Sequence, residues 1–266
     1  MGHRSFGPTR GRRALVSIVT IALAAGAAAG CQASSGGKPS SHDTSTSHSG
    51  PYEASSDGKE LAVAESGLTE AVDAGGEHVV SYAVILKNPS ADTAVTTAVT
   101  LSLVDAHGKP LRNTALNGKH TTWDRAVNLI PAGKRQAVTG TTYVDRAGAA
   151  KVKIGIKESQ WWRDGGKRAS GVKVSDVSAT AGGKGSATVT YRLDSPYDKK
   201  ISSANTSAVY RDAHGEILGG SEPSDARPRD YPPGESDGEI DAAAGVPKDL
   251  DASHTEVYAD PLIELP

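Results

Sequence analysis

The sequence predicts an all-β protein, with two tandem β-sandwich domains behind an export signal and a flexible tether. Three observations predict it. Apolar residues alternate with small or polar ones over short stretches, as at Val80, Tyr82 and Val84 and again at Val99, Leu101 and Leu103. Turn residues separate those stretches at short intervals. The order of the turns then recurs 107 residues later without a gap.

Residues 1–30 read as a lipoprotein signal peptide and are set aside from the fold. Arg4, Arg10, Arg12 and Arg13 make a basic opening with no acidic residue. Ala14–Ala29 is a run of sixteen residues dominated by Ala, Val, Ile and Leu, short against the roughly twenty that a permanent span needs. It ends in Ala28-Ala29-Gly30-Cys31, which resembles the bacterial lipobox, with Ala28 where Leu is usual. The resemblance implies that Cys31 carries diacylglycerol through a thioether and becomes the new N-terminus. The membrane is then a partner through that lipid, at the extracytoplasmic face. Cys31 is the only cysteine, so no internal disulfide can form, and lipid consumes a thiol otherwise exposed in an oxidising compartment. Arg12-Arg13-Ala14-Leu15-Val16 loosely resembles a twin-arginine signal; both that route and Sec export fit.

Residues 31–57 read as the tether. Nine of the twenty residues from Cys31 to Gly50 are Ser or Thr, and no apolar period repays the entropy of ordering them. A flexible chain of this length reaches roughly 25–30 Å. His42 and His48 lie in it as parts of a solvated spacer.

Two domains follow, at 58–160 and 168–266, joined by 161–167. In the first, the alternation continues at Val152, Ile154 and Ile156, and the turns are Ala74-Gly75-Gly76, Asn88-Pro89-Ser90, Asp105-Ala106-His107-Gly108 and Pro131-Ala132-Gly133. In the second, Ala181-Gly182-Gly183, Ser195-Pro196 and Asp212-Ala213-His214-Gly215 keep the same spacing, and Pro232-Pro233-Gly234 is a looser match. Residues 74–111 and 181–218 share ten identities in thirty-eight positions, concentrated at the turns. A unit near 100 residues is too long for a solenoid repeat and suits one immunoglobulin-like sandwich. Met1 and Phe6 are the only Met and Phe, so the cores must be built from Val, Ile, Leu, Ala, Tyr and Trp.

The repeated Asp-Ala-His-Gly is read as a turn. Asp at the first position can accept from the backbone two residues on, and Gly at the fourth can take a positive φ. Asp105, Gly108, Asp212 and Gly215 are therefore structural, because a duplicated short turn supplies no nucleophile, base and oxyanion donor.

The strand into the first copy is Leu101-Ser102-Leu103-Val104-Asp105, with Leu86-Lys87-Asn88 upstream and Ile130-Pro131-Ala132-Gly133 downstream. It resembles the FxLyD domain, a β-sandwich module of bacterial and archaeal extracytoplasmic proteins, often lipoproteins. Leu101, Leu103 and Asp105 stand at the named positions, and Ala208, Tyr210 and Asp212 in the second copy, which departs further. The resemblance implies the fold and no catalytic residue.

Charge excludes one class of partner. Removing the four signal arginines takes the formal net charge from −2 to −6. Residues 31–166 hold fourteen basic and fourteen acidic side chains, and residues 167–266 hold eleven and seventeen. Nucleic acid would want a basic face. No nucleophile elbow, phosphate loop or zinc-ligand spacing occurs in the chain, so no cofactor is expected. Glu235, Asp237, Glu239 and Asp241 fall at every second position and would share one strand face. A row spreads its carboxylates where calcium wants them converging, so they read as a solvated face that guards an edge strand and only weakly as metal ligands. Trp161-Trp162 would point to opposite sides of its strand, one ring on the first core and the other at the joint between the domains, where a sugar platform is the lesser reading. The expected protein is a non-enzymatic, lipid-anchored binding or scaffolding protein of the cell envelope, its partner an envelope protein or glycan. The alternative is an envelope enzyme, or a ligand- or metal-delivery lipoprotein, with its site between the two domains.

Overall fold

The computed structural model describes residues 52–53, 60–163, 170–223 and 229–263. Fourteen strands account for nearly all of the regular structure: β1 (Tyr52–Glu53), β2 (Ala62–Val72), β3 (His78–Lys87), β4 (Thr93–Asp105), β5 (Trp123–Ile130), β6 (Arg135–Val144), β7 (Ala149–Trp162), β8 (Lys173–Ala181), β9 (Ala187–Ser195), β10 (Ile201–Arg211), β11 (Ile217–Ser221), β12 (Arg229–Tyr231), β13 (Gly234–Ala242) and β14 (Glu256–Pro261). Every pairing between them is antiparallel. Among the described residues no helix is long and apolar enough to cross a membrane.

The first half has two sheets, β2–β3–β6 and β1–β7–β4–β5. Between them lies a core in which Val80, Tyr82, Val84 and Leu86 of β3 meet Val99, Leu101 and Leu103 of β4. Period-two alternation puts these side chains on one face of each strand. Enclosing each aliphatic one contributes about 1.5–3 kcal/mol. The second half repeats the plan. β8–β9–β13 faces a sheet in which β10 pairs with β14 on one side and with β11 and β12 along the other. Its core is smaller-chained, with Val189, Tyr191 and Leu193 of β9 against Ala204, Ala208 and Tyr210 of β10. The 107-residue offset holds in three dimensions: Val104 bridges to Pro110 where Arg211 pairs with Ile217.

Two boundaries differ from the sequence reading. Tyr52–Glu53, placed by composition in the tether, pairs with the Trp162–Trp161 end of β7. The free main-chain edge of β7 can accept any extended neighbour, whatever its side chains, so composition carries no hint of it. At the other end β7 runs through Trp162, so both tryptophans belong to the sandwich and not to the joint.

The larger difference is in β3. Alternation there promises one buried face, but β3 is buried at Val79 through Leu86 without a break. Its second face is covered by the other half: Ala83 and Ile85, with Ala137 of β6, pack on Val209, Ile217 and Tyr258. Hydroxyls stitch the seam. Ser81 Oγ donates to the Gly220 carbonyl and accepts from the Gly220 amide, both at 2.9 Å. Thr139 Oγ1 donates to the Ser221 carbonyl at 3.1 Å and Thr69 Oγ1 to the Leu218 carbonyl at 2.7 Å. They cap the outer edge of β11, whose main-chain groups would otherwise be unpaired. Residues 47–266 thus form one compact unit.

Charged groups close the same seam. Arg211, 7% exposed, reaches Glu65 of the first half at 2.7 Å and Glu256 at 3.0 Å, and donates to the Gly215 carbonyl at 2.8 Å. Burial works against the Glu65 charge, but Arg211 and Arg135 outweigh it and hold that carboxyl below its usual range. At the far end Asp260 of β14 is buried. Its Oδ1 accepts from the Asn128 and Leu129 amides, at 2.9 Å each. β5 is the outer strand of its sheet, so this carboxylate occupies an open edge.

Candidate functional site

The two repeated turns are near copies of each other. Gly108 and Gly215 both sit at φ +80. Asp105 Oδ1 accepts from the His107 and Lys109 amides at 3.0 and 2.9 Å, and Asp212 Oδ1 from the His214 and Glu216 amides at 2.9 Å each. The Lys109 amide, helped by Arg146 at 3.0 Å, holds the Asp105 carboxyl below its ordinary range. Nothing lies within 4 Å of a Cβ built on Gly108, so the demand there is conformational, not steric. Gly108→Val should cost about 1–2 kcal/mol and lower the melting temperature. An unchanged melting curve would mean the turn takes another form in solution.

The acidic row stays apart from any site. Glu235, Asp237, Glu239 and Asp241 are all exposed along β13. Asp241 accepts from Thr188 Oγ1 at 2.9 Å and Asp237 lies 3.5 Å from Arg192. Among the described residues no group of three or more His, Cys, Asp or Glu is placed to hold a metal. Trp161 is buried in the first core, and Trp162 packs with Val95, Leu129 and Ile263. At 2% and 4% exposure neither ring offers a platform to a sugar. Cys31 lies outside the described residues.

A pocket that the sequence did not announce opens in the first half. After the second turn the chain enters β11 directly. After the first it leaves the sheet and forms a loop over residues 112–122, with a 3-10 turn at Thr114–Leu116 and left-handed backbone at Asn117 and Gly118. The loop stands over β5 and β6 and borders an open concavity of about 670 Å³. Tyr82 and Trp123 form its floor, with ring centroids 5.8 Å apart and edge to face. Trp123 Nε1 donates to the Tyr82 hydroxyl at 3.2 Å. Burial pushes the Tyr82 hydroxyl pKa up, so it stays protonated and neutral. Arg125 borders the pocket and meets Glu222 of the second half at 3.7 Å. Asn113 is 4% exposed, and its Oδ1 has no hydrogen-bond partner.

A second concavity of about 420 Å³ lies between the halves, where Leu129, Lys134 and Arg135 face Val172, Lys173 and Tyr258. Most of its polar groups are already engaged. Arg135 bonds Glu65 at 2.6 Å, Gln136 Nε2 donates to the Ala259 carbonyl at 2.9 Å, and the Tyr258 hydroxyl donates to Glu256 at 2.7 Å. Groups already bonded to protein partners, within a half or across the seam, do not converge on a substrate.

The fold and these cavities define an all-β protein of paired sheets with an open, partly polar concavity beneath residues 112–122. No family model matches the chain, and no curated protein is significantly similar to it.

Proposed function

We propose that the protein is a lipid-anchored, non-enzymatic binding protein of the cell envelope. It is built from two FxLyD-like, immunoglobulin-like sandwiches and held off the membrane by the Ser- and Thr-rich residues 31–57. The observation that carries the binding role is the divergence of the two halves. They share strand order, core positions and turns, yet among the described residues it is the first that carries a loop, 112–122, over a pocket. Loops positioned by a rigid scaffold are where binding residues concentrate. A partner in the envelope, protein or glycan, would engage that end.

The anchor is tested at one residue. Cys31→Ser should release the protein into the medium or leave its precursor uncleaved, read by fractionation and mass of the N-terminal peptide. A Cys31→Ser variant that is processed and kept in the membrane like the parent removes the anchor from the account.

A further inference from the structure

We propose that the pocket beneath residues 112–122 binds a neutral, hydroxyl-rich ligand, a saccharide; this deepens the reading of the chain as an envelope-binding protein and rests on it. Three features of the pocket point to that chemistry.

The first is the buried acceptor. An unpartnered buried carbonyl costs on the order of 1–3 kcal/mol, and native interiors rarely leave one. Asn113 Oδ1 is such an atom, on a side chain that lines the pocket. A ligand donor would satisfy it.

The second is that, among the described residues, each charged side chain on the wall has an opposite charge beside it. Arg125 is matched by Glu222 at 3.7 Å. Asp124 is matched by Lys157 and accepts from Thr100 Oγ1 at 2.8 Å. The uncharged polar side chains along the wall are Asn113, Asn117, His120, Thr122, Thr141 and Thr142. Amide, imidazole and hydroxyl groups both donate and accept, as ligand hydroxyls do. An anionic or cationic ligand would need an unmatched charge opposite it.

The third is size and texture. About 670 Å³ falls within the range of small-molecule sites, roughly 300–1,000 Å³. Leu116, 41% exposed on the loop, gives apolar surface for the C–H faces of a sugar ring, beside polar groups for its hydroxyls.

The three indole N–H resonances of the intact mature chain provide the test, with Trp123 assigned through Trp123→Phe. Cellobiose, maltose and N,N′-diacetylchitobiose serve as neutral probes, and glucuronate as the anionic one. At least one neutral disaccharide should shift the Trp123 resonance saturably and leave Trp161 and Trp162 unmoved. Asn113→Ala and His120→Ala should each weaken binding about tenfold or more, equivalent to about 1.4 kcal/mol. Lys173→Ala, in the cleft between the halves, should not weaken it. The proposal is overturned by no saturable shift with any neutral probe, by a response to glucuronate alone, or by unchanged affinity in both pocket variants. None of these depends on the anchor. Loss of sugar binding with Cys31 still lipidated removes the ligand and leaves the envelope assignment; a soluble precursor that binds sugar does the reverse.

Discussion

Gly67→Val should separate the two halves while leaving each of them folded. A Cβ at Gly67 of β2 would collide with the backbone carbonyl of Ile217 in β11. Overpacked side chains usually relax at a cost of about 1–3 kcal/mol, but a carbonyl held in a strand cannot rotate aside. The seam must open, and the hydroxyl bonds of Ser81, Thr139 and Thr69 to β11 open with it. Each half keeps a core enclosed by its own two sheets, so strand-type circular dichroism should persist. Calorimetry should resolve two transitions where the parent should show one. Complete unfolding of Gly67→Val would show that the halves cannot stand apart.

Asp260→Asn should remove a pH dependence from stability. Desolvation in its buried site pushes the Asp260 carboxyl up to about 7, against the pull of the Asn128 and Leu129 amides. An unfolded Asp titrates near 3.9. Between those values the folded protein keeps a proton that the unfolded chain has lost. The contribution is therefore full below about pH 4 and is lost as pH rises through 7. With about 1.4 kcal/mol per unit, the parent should lose a few kcal/mol relative to Asp260→Asn between pH 4 and pH 8. Taking the difference between the two proteins cancels groups of opposite sign, such as Glu65. Parallel urea midpoints for parent and variant across that range would refute the assignment. Asp260→Ala is the harsher change, because it strands the buried Leu129 amide and the part-buried Asn128 amide on the β5 edge, the buried one at about 1–3 kcal/mol.

Strands, turns and the duplication were legible because each rests on local physics. Alternation at Val80, Tyr82 and Val84 reports one buried face, and Asp105 with Gly108 closes a hairpin using atoms within five residues. The seam was not legible from one strand, because β3 and its counterpart β9 alternate alike on their inner faces. A signal lay in the other face of the pair. Ser81, Ala83 and Ile85 of β3 correspond to Thr188, Thr190 and Arg192 of β9, and the small or apolar set is the one that is covered. The pocket left a fainter trace. Twenty-three positions separate Gly108 from Pro131, against seventeen between Gly215 and Pro232, so the first half has extra chain at the loop. Nothing in those residues says that Asn113, thirty-one positions from Tyr82 and ten from Trp123, would line one cavity with them. Asp260 was invisible for a related reason: its partners, Asn128 and Leu129, are more than 130 residues away.

The seam joins unlike surfaces. The sheet β2–β3–β6 of the first half meets the sheet around β10 of the second, which corresponds to β4–β5–β7. A contact between like faces would close on a two-fold axis; one between unlike faces is open-ended and can in principle recur. The exposed end of the second half is the unused counterpart of the face buried in the first. There Arg192 stands in place of Ile85 and Thr190 in place of Ala83, beside the carboxylates of β13. The other end presents Lys151, Lys153 and Lys157 of β7 to water. Solvated side chains on both terminal faces do for this stack what polar capping units do for a repeat array. Neither face repeats the small, apolar set that β3 buries at the seam.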